Sequence, residues 1–241
     1  MANGLILFAI WWVPVIALAL FLQLSGKSRI AWGWIALAMA SHALYASVGA
    51  WTLPDNVAEL PAEARWLSRI AQLAAGIIMV AFVWKRSASL EPESMGLTAK
   101  QAKGSLPWSA AGITALAMLG TIPGGFAPGA EPLPGAGAAL YQLTLPGIEE
   151  EIFYRALLLG LFATAMGGGR SALLWAGVMS WMIFALAHGV TLADGSVAVN
   201  TFILGYVGLA GGVLTIMRIK SGSILLTMLA HNMIGFAGRF A

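Results

Sequence analysis

The sequence predicts an all-α, polytopic membrane protein of about eight transmembrane helices. Three observations carry this prediction. Of the 241 residues, 59% are hydrophobic and only 10% charged, against roughly 25% charged in soluble domains. Mean hydropathy is +0.84. Apolar runs of span length recur along the chain, separated by short loops rich in Gly, Pro or charge. A span takes about 20 apolar residues, so this length holds about eight of them. No stretch is long and polar enough for a separate soluble domain, and residues 1–241 read as a single membrane-embedded domain.

Taken in order, the first span is expected at 5–24. It has no charged segment before its apolar run, so it reads as a span rather than a signal peptide. GKSR (Gly26 to Arg29) turns the chain into a second span at 30–51. A loop with Pro54, Asp55, Glu59, Pro61 and Glu63 follows, and its AELPAEARW stretch suits a short interfacial helix. The third span, 67–84, is closed by Lys85 and Arg86, and the polar stretch 85–104 reads as a loop with a short amphipathic helix. Pro107 falls in the first turn of the fourth span, 106–121, where its missing N–H has no helical partner to lose. IPGGFAPGAEPLPGAG, from Ile122, signals irregular backbone, which is tolerated at an interface or cavity but not against lipid. The fifth span, 138–166, carries Pro146 and Gly147 as a kink point. GGGR leads to the sixth at 172–188, then a seventh at 197–217 and an eighth at 223–240. Spans over 5–121 form an N-terminal set, and 138–241 is the motif-bearing core. No internal repeat is evident.

The formal charge is +3, with 13 Lys and Arg scattered through short loops. That pattern suits an anionic membrane leaflet rather than nucleic acid, which is not expected as a partner. The absence of cysteine excludes disulfides, thiolate ligands and a cysteine nucleophile. Lys27 and Arg29, then Lys85, Arg86, Lys100 and Lys103, then Arg170, then Arg218 and Lys220 occupy alternate loops. The intervening loops hold Asp55, Glu59 and Glu63 with Arg65 and Arg69, then Glu131, then Asp194. The positive-inside rule puts both termini outside and the basic loops in the cytoplasm.

Chemistry concentrates in LPGIEEEIFYRA, Leu145 to Ala156. Glu149, Glu150, Glu151 and Arg155 lie in an apolar segment, and ionisable groups at membrane depth face a protein interior or watery cavity and mark function. Glu151 and Arg155 are four apart with the acid first, the favourable order for a pair on one helix face. Glu150 then points about 100° away, available for general-base work. A structural ion-pair cluster is the bland alternative. Of three histidines, His188 ends the sixth span and His231 lies within the eighth; they could hydrogen-bond a water and an oxyanion. His42 reads as structural or as a helix–helix hydrogen bond. No H-E-x-x-H, G-x-S-x-G or Walker A loop is present, and Ser180 and Ser221 lack the Gly-rich turn of a serine-based site. Glu150, His188 and His231 are also the donors that a His₂Glu zinc site would use.

EEIFYR (Glu150 to Arg155) resembles the EExxxR motif of the CAAX protease and bacteriocin-processing family, the intramembrane glutamic proteases also called Abi proteins. FALAH (Phe184 to His188) resembles that family's FxxxH motif, and His231 its last histidine. The resemblance spans Glu150 to Asn232; the first four spans carry no family signature. It implies an eight-span helical fold around a membrane-buried peptidase site. Glu150 with His188 would activate a water, Glu151 and Arg155 would brace the site, and His231 would stabilise the oxyanion. No metal or other cofactor is implied. The family's last motif reads HxxxN or HxxxD, whereas this chain has Gly235 at that position. Asn232, beside His231, and Thr227, four residues before it, are the substitutes available for oxyanion support.

The leading expectation is an intramembrane glutamic endopeptidase that hydrolyses a peptide bond in a membrane-anchored protein or a C-terminal sorting or prenylated tail. The expected location is a bacterial inner membrane, with the site open to the external side. An immunity or scaffold protein on the same fold is the alternative from another class. A proton-coupled transporter ranks last because inverted repeats and paired broken helices are missing.

Overall fold

A computed structural model describes residues 2–52, 62–122, 136–193 and 195–238. It is an all-helical bundle with one small hairpin. The helices are α1 (Ala2–Leu24), α2 (Trp32–Thr52), α3 (Ala62–Arg86), α4 (Leu106–Gly120) and α5 (Ala136–Glu150). The fifth rod continues without a break through a π-helical segment, Glu151–Leu158, into α6 (Leu159–Ala165). Then come α7 (Gly169–Gly189), strands β1 (Val190–Ala193) and β2 (Ser196–Val199), α8 (Thr201–Ser221) and α9 (Leu225–Ala237). Counting α5, the π segment and α6 as one rod, the described residues form eight rods.

Among the described residues, four stretches are long and apolar enough to cross a membrane: Asn3–Leu24, Trp66–Arg86, Gly169–Gly189 and Thr201–Ser221. Leu106–Gly120 and Leu225–Ala237 are shorter apolar helices. Large apolar side chains face outward, among them Leu24, Ile78, Trp108 and Leu209, as expected where lipid is the solvent. The core is just as apolar, with Trp12, Phe153, Phe162 and Phe184 fully buried.

The basic loops meet at one end of the bundle. The Ala31 N–H donates to Ala165 O at 2.8 Å, that of Ala102 to Ser221 O at 2.8 Å, and that of Ile224 to Gly96 O at 3.0 Å. The opposite end carries the hairpin. There Trp11 Nε1 donates to Val190 O at 3.0 Å, and the Asn200 side chain caps α8 by accepting from Ile203 N at 2.9 Å.

Several expectations need correction. Residues 87–105 form successive turns instead of an amphipathic helix. A single helical turn closes with Met95 N on Glu91 O, and Gly96, at φ +81°, ends it. The seventh span starts at Thr201, because 190–199 pair as an antiparallel hairpin, Val190 opposite Val199. Pro146 does not break the helix, and the irregularity is the π segment just after it. The interfacial helix expected at 58–66 lies outside the described residues up to 61, and from Ala62 the chain is already α3. Most of the Pro- and Gly-rich stretch, with Glu131, also lies outside them, as does Asp194.

Candidate active site

The site is built on the π segment. A π turn leaves carbonyls without their usual helical donors, and buried carbonyls need partners. Two neighbouring helices supply them. Ser180 Oγ on α7 donates to Tyr154 O at 2.6 Å, and Arg218 Nε on α8 donates to Arg155 O at 3.3 Å. Ser180 is thus a structural donor.

Glu151 and Arg155 form the expected pair, Nη1 to Oε1 at 2.9 Å, both fully buried. Arg155 also donates through Nη2 to Gly211 O at 3.3 Å, and its guanidinium lies 4.0 Å from the centre of the Phe184 ring. Gly211 is needed here, because a Cβ would sit 2.7 Å from that ring. Phe184 in turn lies 4.6 Å from the His188 ring. The phenylalanine of FALAH is therefore a spacer between the arginine and the histidine.

Both expected histidines reach the carboxylates. His231 Nδ1 is 2.9 Å from Glu151 Oε1, the oxygen that Arg155 also holds. His231 Nε2 and His188 Nε2 each lie 3.6 Å from Glu150 Oε2. That distance is too long for a direct hydrogen bond, and Glu150 Oε2 is buried with no hydrogen-bond partner among the described residues. His188 Nδ1 is 2.8 Å from Phe184 O. A carbonyl only accepts, so Nδ1 carries the proton, and in the neutral ring Nε2 is left as an acceptor.

Asn232 and Thr227 are not brought into this cluster. Asn232 Oδ1 accepts from Gly147 N at 2.7 Å, and its Nδ2 donates to Thr144 O at 3.0 Å. The amide thus bridges backbone groups on either side of Pro146. Gly147 is required at that approach, since a Cβ would lie 2.5 Å from Asn232 Oδ1 and 2.7 Å from Met228 O. Thr227 Oγ1 donates to Ile224 O at 2.7 Å within its own turn. His42 accepts from Trp12 Nε1 at 3.0 Å and is ringed by aromatics, the helix–helix role expected of it.

Two participants come from helices without motifs. Arg69 on α3 places Nη1 2.6 Å from Glu150 Oε1 and 2.7 Å from Glu149 Oε2. The Tyr45 hydroxyl on α2 donates to Glu149 Oε1, with its ring stacked on Phe153 at 3.8 Å. Arg69 is therefore not a loop charge; it lies two turns inside α3. Tyr45 carries no signal in sequence.

A cavity of about 260 Å³ opens onto Glu150 and His188, walled by Tyr45, Gly49, Arg69 and Gln72. The His188 side chain is 23% exposed, while Glu150 and His231 are buried. The arrangement can hold a small polar molecule between one carboxylate oxygen and two imidazoles, reachable from one side. Among the described residues, no group of three or more His, Asp or Glu is arranged to hold a metal ion.

Residues 132–237 match the family model described as Type II CAAX prenyl endopeptidase Rce1-like. Comparison with curated proteins gave no match, and comparison with solved structures gave none either. The matched segment contains both glutamates of the motif, Arg155 and both site histidines, and leaves α1 to α4 outside it. Over residues 132–237 the chain thus matches the CAAX protease family that its motifs resemble, and with four span-length apolar helices it is an integral membrane protein.

Proposed function

We propose that the protein is an intramembrane glutamic endopeptidase in which Glu150 is the general base. One observation carries this reading: Glu150 Oε2 faces Nε2 of both His188 and His231 at 3.6 Å. Polar groups at that separation are suited to bridging by a water. Such a water donates one proton to Glu150 Oε2 and the other to His188 Nε2, which turns its lone pair toward an incoming carbonyl carbon. As the water attacks, Glu150 takes its proton, and the proton then passes to the leaving amine. His231, held at Nδ1 by Glu151, presents Nε2 to the same space and is placed to stabilise the oxyanion. Glu151 and Arg155 act as the brace.

The mechanism needs no metal. Glu150 and Glu151 each have one oxygen committed to a guanidinium, an arrangement that competes with metal ligation. The substrate is a membrane-anchored protein or a prenylated or sorting-type tail whose scissile bond enters the cavity. The site end lies opposite the basic loops, so in a bacterial inner membrane it faces outward. A topology reporter fused after Gly222 should then be cytoplasmic.

The test uses purified protein in liposomes with two anchored peptides, one prenylated near its C-terminus and one held by an apolar segment. Wild type should release the tail of at least one. Glu150→Gln, folded by the same melting criterion, should be slower by about 10³-fold, and chelators should change nothing. One observation favours a second reading, an immunity or scaffold protein: Asn232, the nearest candidate for oxyanion support, has both polar atoms engaged elsewhere. Folded protein that cleaves neither peptide, with a cellular phenotype that survives Glu150→Gln, would establish that reading instead.

A further inference from the structure

We infer that Arg69 is a positioning residue for Glu150, and that Glu149 exists to anchor Arg69. The inference rests on the peptidase reading. It starts from adjacency: Glu149 and Glu150 are consecutive and both buried, so two carboxyl groups sit side by side where water does not screen charge on either. A single nitrogen, Arg69 Nη1, contacts both, at 2.7 and 2.6 Å. Glu149's remaining oxygen is held by the Tyr45 hydroxyl, and Tyr45 is fixed by its stack on Phe153. The chain Tyr45–Glu149–Arg69–Glu150 therefore ends on one oxygen of the base and leaves the other, Oε2, aimed at the two imidazoles.

The contact is directional in its effect. With Oε1 tied to α3, the carboxylate plane of Glu150 cannot rotate Oε2 away from His188 and His231. The remaining groups around it are already committed: Arg155 to Glu151 and Gly211, and His231 Nδ1 to Glu151. Arg69 is also the wall of the cavity that opens on the site, with its side chain 29% exposed. The motif segment thus lacks a cation for its own base, and α3 provides it.

Because one nitrogen makes both carboxylate contacts, a lysine ammonium can bridge the same two oxygens, giving up only the Tyr141 hydroxyl that Arg69 also meets. This gives a test that a helix-packing role would not pass. Cleavage is measured with the anchored peptides for wild type, Arg69→Lys, Arg69→Met, Glu149→Gln, Glu150→Gln and the Arg69→Met/Glu149→Gln double variant. Arg69→Met should lower kcat by about 100-fold with KM unchanged, the scale of a misplaced catalytic group. Arg69→Lys should recover most of it. Glu149→Gln alone should be mild, and in the double variant it should restore part of kcat by removing the facing charge. Thermal melting gives a readout independent of substrate: Arg69→Met should lower Tm, and adding Glu149→Gln should raise it again.

Wild-type kcat in Arg69→Met, or a double variant no better than Arg69→Met in both kcat and Tm, overturns the inference. If Glu150→Gln is dead while Arg69→Met cleaves normally, only the Arg69 assignment falls. If Glu150→Gln cleaves like wild type, the peptidase reading falls, and the melting series alone decides whether Arg69 and Glu149 are coupled.

Discussion

The two halves of this bundle contribute unlike things to one site. Helices α5 to α9 bring the proposed reactive groups, Glu150, His188 and His231, and the Glu151–Arg155 pair beside them, all inside the family-matched segment. Helices α1 to α4 lie outside that segment, yet α2 and α3 hold Glu149 and Glu150 through Tyr45 and Arg69 and wall the cavity. The difference separates chemistry from aim. In the proposed mechanism the motif half supplies the atoms that react, and the N-terminal half limits how Glu150 is oriented and from which side it is reached.

Substitutions can break or sharpen that contrast, and the largest effect should fall in the brace. Arg155→Met strands Glu151 in the interior, and removing one partner of a buried pair costs about 3–5 kcal/mol. Little folded protein should survive detergent extraction, and any that does should melt far below wild type. Next come His188→Ala and His231→Ala, each expected to slow cleavage about 10²- to 10³-fold while the fold persists. Gly147→Ala should act on stability: its methyl meets Asn232 and a backbone oxygen of α9, a misfit worth about 1–3 kcal/mol and visible as a lower Tm. His42→Phe, in the N-terminal half, leaves the buried Trp12 N–H unpaired at the edge of the cavity. It should cost about 1–3 kcal/mol, with a smaller effect on cleavage than either site histidine. Chelation should do nothing, and an effect of chelator would move Glu150, His188 and His231 from a water site to a metal site.

What is legible in the sequence follows the same division. Four charged residues crowded into Glu149 to Arg155 stand out against an apolar background, and their spacing of four is enough to pair Glu151 with Arg155. His188 and His231 are legible because histidine is rare here. Arg69 is not, because one arginine near the start of an apolar run looks like a loop charge. Only tertiary packing brings it 80 residues along the chain to Glu149. Asn232 resembles a substitute oxyanion donor by its proximity to His231, but one position on a helix turns it toward α5, where Pro146 leaves backbone groups to satisfy. Gly235, where the family carries an amide or acid, packs so that a Cβ would meet Gln142 Oε1 at 2.7 Å. The hairpin has a signal, Asp194–Gly195 between short strand-like runs, that the apolar run around it obscures. The π segment has none, since its register depends on Ser180 and Arg218 from other helices.

In the proposed mechanism Glu150 activates a water and forms no covalent intermediate. Cleavage by excess enzyme in water enriched in heavy oxygen, stopped within one turnover, tests it most directly. Water activation places one heavy oxygen in the new C-terminal carboxylate of the product and none in the enzyme peptide containing Glu150. Heavy oxygen in that enzyme peptide, or capture of the peptide by hydroxylamine during turnover, would show an acyl-glutamate and overturn the role of Glu150 as a base.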